Sequence, residues 1–567
     1  MTFVSTEGLG AVGASANRAE TRVARGILAD TSGAAVLDSA HVGDIIGAFG
    51  RIRRDGTGGF SGPWRRLRTL MVITGPGLIV MVGDNDAGGV ATYAQAGQNY
   101  GLSLLWTLPL LVPVLVVNQE MVVRLGAVTG VGHARLINER FGKFWGAFSV
   151  GDLFILNFLT IATEFIGVSL SLGYLGVSKY VSVPIAGVTL IAITATGSFR
   201  RWERFMFVFI VANFLVIPLA VFSHPTAGSF FHGLVVPGVK GGFNSTSVLL
   251  IIAIVGTTVA PWQLFFQQSN IIDKRITPRF INYERVDTVI GSLVVVGGAA
   301  AIMVTANYAA SGTPAFGHFT DALGVANLLK AKGNALGAMF AILLFDASII
   351  GAAAVTLSTS YAFGDVFGIR HSLHRRFADA KPFYLSYTAM VVVAAAIVLI
   401  PDAPLGLITT SVQALAGLLL PSASVFLLLL CNDPEVLGPW VNPKWLNLLA
   451  GVIIAVLLTL SGVLMASTLF PHVDVTRVFV GLAVALVLGG IAILVALRIM
   501  GRRAGATPAP VPRMSDAEKF TWRMPPLTLL KPVKWSPGLR IGILALRAYL
   551  VLSAILLLVK AIQLGGG

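Results

Sequence analysis

The chain has 567 residues, of which 55% are apolar and 12% charged, and its mean hydropathy is +0.81. Soluble domains run near 25% charged, so a soluble enzyme is excluded, and the many long apolar runs exclude a soluble body with one anchor. The single cysteine, Cys431, excludes a disulfide framework and a Cys-rich metal site, and the net charge of +15 belongs either to basic membrane loops or to a nucleic-acid surface.

Residues 1–68 carry no sustained apolar run, and Arg51, Arg53, Arg54, Arg65, Arg66 and Arg68 gather before the first apolar segment. A disordered cytoplasmic tail with a basic juxtamembrane end is expected, and not a signal peptide. Twelve segments of spanning length follow, at 69–92, 102–123, 146–172, 181–198, 205–222, 246–270, 287–309, 335–362, 383–400, 405–431, 446–469 and 476–498. A cytoplasmic, Pro-rich linker (501–540) then leads to 541–563, which holds Arg547 and Lys560 and either spans or lies in the interface.

With the N-terminus in the cytoplasm, the cytoplasmic loops up to residue 404 hold fifteen Lys and Arg and the opposite loops four, Lys179, Lys240, Lys330 and Lys332. The alternation holds across nine loops and assigns the basic charge to membrane orientation. Its spread over separate loops leaves no single face for nucleic acid.

The first span places Gly83, Asp84, Asn85, Asp86, Ala87, Gly88 and Gly89 at mid-membrane. A charge there costs about 2.5–3.5 kcal/mol, and each interior glycine about 1 kcal/mol relative to alanine. A broken helix is expected, its carboxylates and freed carbonyls forming a cation site. Gly256, Thr257, Thr258 and Pro261 interrupt the sixth span. Two interrupted segments five helices apart point to an inverted-repeat transporter, with repeats at 69–224 and 246–431 and two extra helices within 446–500.

These residues carry a resemblance. GPG at 75–77, the acidic break at 84–89, QAGQNYGLSLLW at 95–106, RLGAVTG at 124–130, GTTVAP at 256–261 and LLLPSASVFLLLLCNDPEVLG at 418–438 resemble, in order, motifs of the NRAMP divalent-metal transporters. The resemblance implies an all-α fold of the leucine-transporter type, with two inverted five-helix repeats plus additional C-terminal helices. It also implies alternating access, and a metal as transported substrate and not as cofactor.

The departures matter as much. The family's Asp-Pro-Gly-Asn falls on Asp86, Ala87, Gly88 and Gly89, so the acid is kept and the ligand asparagine is glycine. Its Ala-Thr-Val-Met-Pro-His falls on Thr257 to Trp262: Ala260 replaces the methionine and Trp262 the histidine, while a later histidine is Gln267. Losing a soft thioether removes a discriminator against hard cations, and the smaller residues imply a larger pocket. This pattern resembles the NRAMP-related magnesium transporters. It implies Mg²⁺ as substrate, with Mn²⁺ expected to pass as well.

The matching positions imply Asp86 as central ligand, carbonyls at Gly83 and Thr257, and Gln413, eight residues before Pro421, as a further ligand or a packing amide. The hydroxyls of Thr257 and Thr258 are outer-shell groups in this reading. Asp84 and Asn85 have no family counterpart; Asp84 is either a second carboxylate reaching the ion through water or a cap facing away. Glu164 matches an acid on the family's proton path, but the companion aspartate is Ile161 and no histidine falls in a core span. Uptake without proton coupling is therefore expected. Glu120, Asp287 and Asp346 are either path acids or structural partners. Two alternatives stand beside this reading: a proton-coupled Mn²⁺/Fe²⁺ importer, and a sodium-coupled carrier of an organic solute. No zinc-protease motif, nucleophile elbow or Walker loop appears, so an enzyme is not expected. The expected location is the plasma membrane.

Overall fold

The computed structural model describes residues 39–53, 62–401, 405–470, 473–503, 515–531, 533 and 537–565. A short hairpin, β1 (Ile45–Gly47) and β2 (Gly50–Ile52), precedes the helices. The first expected span is three pieces, α1 (Pro63–Ile73), α2 (Pro76–Val82) and α3 (Ala87–Tyr100). Then come α4 (Thr107–Thr129), α5 (His133–Phe141), α6 (Lys143–Tyr174), α7 (Lys179–Ala195), α8 (Phe199–Asn213), α9 (Val216–Phe222) and α10 (Ala227–Val235). The second half holds α11 (Ser245–Thr258), α12 (Pro261–Asp273), α13 (Ile281–Ala310), α14 (Ala322–Lys332), α15 (Asn334–Phe367), α16 (Lys381–Val398) and α17 (Leu405–Cys431). Last are α18 (Lys444–Leu469), α19 (Val475–Arg503) and α20 (Pro537–Gly565).

Among the described residues eight helices are long and apolar enough to cross a membrane, nine if the bent pair Leu415–Cys431 and Pro434–Trp440 is one span. The expected first span drops out because its three pieces are 11, 7 and 14 residues long, and the fourth because α7 has 17. The apolar helices at Val475–Ile491 and Gly542–Leu556 are also short by this measure.

The expectation of an unstructured tail to residue 68 is corrected for 39–53 and 63–68. Ala48 is buried, its amide donates to Glu203 on α8, and its carbonyl accepts from Arg204 at 3.0 Å. His41 pairs with Asp273 at 3.5 Å. Local signals set the helix ends: Pro76 and Pro261 open α2 and α12, where a missing amide costs nothing, and Asn244 and Ser247 make a capping box for α11. The long α6 and α15 pack together through the centre, and α13 lies against α2 and α3. Gly97 permits the last contact, since a Cβ there would overlap the Met303 carbonyl.

Candidate cation site

The chain leaves helical pairing after Val82 and resumes it at Ala87. Asp86 caps α3, with Oδ1 accepting from the Gly89 amide at 2.7 Å. The Ala87 amide donates to Glu164 Oε2 on α6 at 3.1 Å. Two carboxylates thus occupy the positive end of one half-helix. They also meet each other, and a Cβ on Gly351 of α15 would touch Glu164 Oε2 at 2.6 Å and the Asp86 Cβ at 2.8 Å.

The second break, Val259–Ala260, faces the first. Ala260 caps α12 and is 6% exposed. Tyr93 of α3 and Thr258 of α11 join hydroxyls at 2.7 Å, which holds the two broken helices together. Trp262 closes over Gly83, 3.1 Å from where a Cβ would stand.

Oxygen atoms converge beside Gly89. The point where its Cβ would stand lies 2.5 Å from the Asp84 carbonyl, 3.2 Å from Thr257 Oγ1 and 3.4 Å from Asp86 Oδ1. Thr257 Oγ1 is buried with no partner. Gln413 of α17 lies against Gly88, where any Cβ would overlap its amide, and its Nε2 is also without a partner. Asp84, Asp86, Thr257, Thr258, Gly83, Gly89, Ala260, Gln413 and Glu164 therefore gather at the two breaks.

Two sequence candidates lie elsewhere. Asn85 turns to α13, where Nδ2 donates to the Val295 carbonyl at 3.2 Å. Glu120 is held in ion pairs with Arg124 at 2.9 Å and Arg285 at 2.6 Å, so its reading as an ion-path acid gives way to a structural one. Of the other acids, Asp287 receives the amides of Gly75, Gly77 and Leu78, and Asp346 accepts from Asn213 at 3.1 Å.

Sequence reasoning passed over Gln263 and Gln119, whose amides join at 2.9 Å beside Asp84. The available signal was a pair of buried amides inside apolar spans. Among the described residues no group of three or more His, Cys, Asp or Glu side chains could hold a metal. The donors at the breaks are the Asp86 and Glu164 carboxylates with hydroxyl, carbonyl and amide groups, a set suited to an oxygen-loving cation that keeps part of its water.

Residues 77–467 match the family model described as "Natural resistance-associated macrophage protein-like". The chain belongs to the Nramp family. Among Nramp relatives it is 26% identical over 437 residues to the divalent metal cation transporter MntH of Bacillus subtilis, covering 72% of this chain and 95% of that one. It is 28% identical over 417 residues to MntH 1 of Pseudomonas aeruginosa, covering 70% and 92%. The crystal structure of the Eremococcus coleocola manganese transporter superposes with TM-score 0.56 at 19% identity, covering 77% of this chain and 96% of that one. The Nramp fold, of the leucine-transporter type, is thus shared, and the chain is a multi-pass integral membrane protein. The Nramp relatives are ion carriers by name and not enzymes.

Proposed function

We propose that this protein carries divalent metal cations into the cytoplasm by alternating access, with Asp86 as the central ligand, Mg²⁺ as principal substrate and Mn²⁺ also accepted. The carrying observation is the convergence of the Asp86 carboxylate, the unpartnered Thr257 hydroxyl and the Asp84 carbonyl beside Gly89. Ala260 supplies no sulfur at the opposite break. Mg²⁺ sheds water reluctantly and is held through few carboxylates, which suits such a site. Relatives named as divalent metal transporters support the general class. The fifteen-to-four distribution of basic residues supports a cytoplasmic N-terminus in the plasma membrane. The repeats run over 69–224 and 246–431, and Gln413 on the second completes the site from the side of Gly88.

Uptake proceeds without obligatory proton coupling, driven by concentration and by the membrane potential. The potential contributes about 2.3 kcal/mol per charge per 100 mV, doubled for a divalent ion. One observation favours a second reading, the proton-coupled Mn²⁺ importer: Glu164 lies against Asp86 at the break. Proteoliposomes carrying a Mg²⁺-sensitive dye and an internal pH dye decide between them. Saturable Mg²⁺ influx, lost in Asp86→Ala and without acidification, is the expected result. Mn²⁺ influx with acidification and no Mg²⁺ influx would establish the second.

A further inference from the structure

Asp86 is the acid that caps α3, but Asp84 is the more deeply buried of the two, with 0% exposure. Its Oδ1 accepts from the Gln263 amide, while its Oδ2 has no partner. Gln263 is pinned from two further sides. Its Oε1 accepts from Gln119 Nε2 at 2.9 Å, and its Nε2 reaches the Thr258 carbonyl at 3.2 Å. Gln119 Oε1 is itself buried and unpartnered. One turn along α12, Gln267 donates to Thr288 Oγ1 at 3.1 Å and again leaves its Oε1 without a partner.

The pattern has a sign. All three of these unpartnered atoms are oxygen acceptors, and burying an acceptor without a donor is unfavourable, more so when it is charged. An approaching cation removes that cost. The pattern also has a direction. Gln263 and Gln267 are four residues apart and share one face of α12. Asp86 turns the other way, to α3, Glu164 and Gly351. In the orientation proposed above, α12 is the half-helix that runs from the break to the cytoplasm.

We propose that Asp84, with the amide oxygens of Gln119 and Gln267, forms a second cation station on the cytoplasmic side of Asp86, through which a hydrated divalent ion passes before release. Gln263 is a positioning residue that fixes the Asp84 carboxylate with one oxygen free. The set holds one carboxylate and neutral amides, with no nitrogen or sulfur donor in it. It therefore suits a hard cation held loosely enough to leave. The inference rests on the transport reading above and adds to it a step after capture.

The test uses the full chain in proteoliposomes with Mg²⁺, beside calorimetry of Mn²⁺ binding to the detergent-purified protein. Asp84→Asn preserves shape and an acceptor for Gln263 but removes the charge. The expected result is a Mg²⁺ influx rate at least tenfold lower, with Mn²⁺ binding at Asp86 retained. Asp86→Ala loses both influx and binding. Gln119→Leu is expected to slow influx at least threefold, again with Mn²⁺ binding retained. Wild-type influx in Asp84→Asn overturns the station. So does loss of Mn²⁺ binding in that variant, because Asp84 then serves the Asp86 site or the fold. If the wild type moves neither Mg²⁺ nor Mn²⁺, the transport reading itself fails, and the station with it.

Discussion

Lys274 Nζ donates to Glu203 Oε1 at 2.6 Å, and neither side chain has any exposure. The same ammonium donates to the Ile73 carbonyl at 2.7 Å and the Thr74 carbonyl at 2.9 Å, at the end of α1. Glu203 also accepts the Ala48 amide of the hairpin turn. Gly75, at φ 155°, passes beside the pair, where a Cβ would meet both charged groups. Segments from the hairpin, α1, α8 and the end of α12 thus meet at one buried ion pair.

Breaking such a pair by removing one partner leaves an uncompensated buried charge, at a cost of about 3–5 kcal/mol. Lys274→Met is expected to lower the melting temperature in detergent markedly. Adding Glu203→Gln should recover part of the loss, since both charges are then gone. Additive losses in the double variant would show that the pair does not couple.

Asp287 holds the start of α2. Its Oδ2 accepts from the amides of Gly75 at 3.1 Å, Gly77 at 2.8 Å and Leu78 at 3.2 Å. Asp287→Ala orphans these donors and is expected to cost about 2–4 kcal/mol. Faster amide exchange at residues 75–79, ahead of the rest of α2 and α3, is the measurement. Gly77→Ala should give the same signature, because its Cβ would stand 2.9 Å from the Thr288 backbone nitrogen. Unchanged exchange in both variants would remove Asp287 from this role.

The two breaks were legible because glycine, proline and aspartate are each costly inside a membrane helix, so a cluster of them marks a place where the helix stops. Asp86 stands in the first of these clusters, whereas Thr257 as a ligand position follows only from the family resemblance. What stayed hidden is pairwise. Lys274 reads as one more loop charge, and only the fold buries it against Glu203. The hairpin at 45–52 has three-residue strands, too short to leave an alternating pattern. Gln263 reads as an ordinary helix amide until Asp84 lies beside it. Gly88, Gly97 and Gly351 mark close approaches whose other halves, Gln413, Met303 and Glu164, are distant in sequence.

His133 begins α5 fully buried, with Nδ1 on Gln268 Oε1 at 2.9 Å. Burial lowers its pKa from 6.5 to about 4, against a smaller raising effect of the Gln268 bond. The folded pKa is the lower one, so the unfolded chain takes up the proton first. The neutral imidazole's contribution is therefore complete above pH 6.5 and is lost progressively as pH falls toward 4, a total on the order of 3 kcal/mol. Loop residue His371 moves the opposite way: burial lowers its pKa, but the Asp365 carboxylate outweighs burial and raises it. The test is therefore a difference. His133→Gln is expected to flatten the acid limb of the melting-temperature profile between pH 6.5 and 4 relative to wild type, and parallel profiles would count against the assignment.

The two family positions that lost their ligands differ in how reversible the loss is. At Gly89, a Cβ would stand 2.5 Å from the Asp84 carbonyl and 3.2 Å from Thr257 Oγ1. Gly89→Asn therefore displaces oxygens already at the site, and it should reduce influx of every divalent ion. Ala260 instead caps α12 at a break whose other donors are oxygens. A thioether there adds a soft donor without removing a hard one, and soft donors favour Cd²⁺ and, less strongly, Mn²⁺ over Mg²⁺. Ala260→Met is accordingly expected to raise the Cd²⁺-to-Mg²⁺ influx ratio at least tenfold, read by competition in the same proteoliposomes. The shift should come from Cd²⁺ gaining and not from Mg²⁺ collapsing. An unchanged ratio would mean that position 260 does not face the ion.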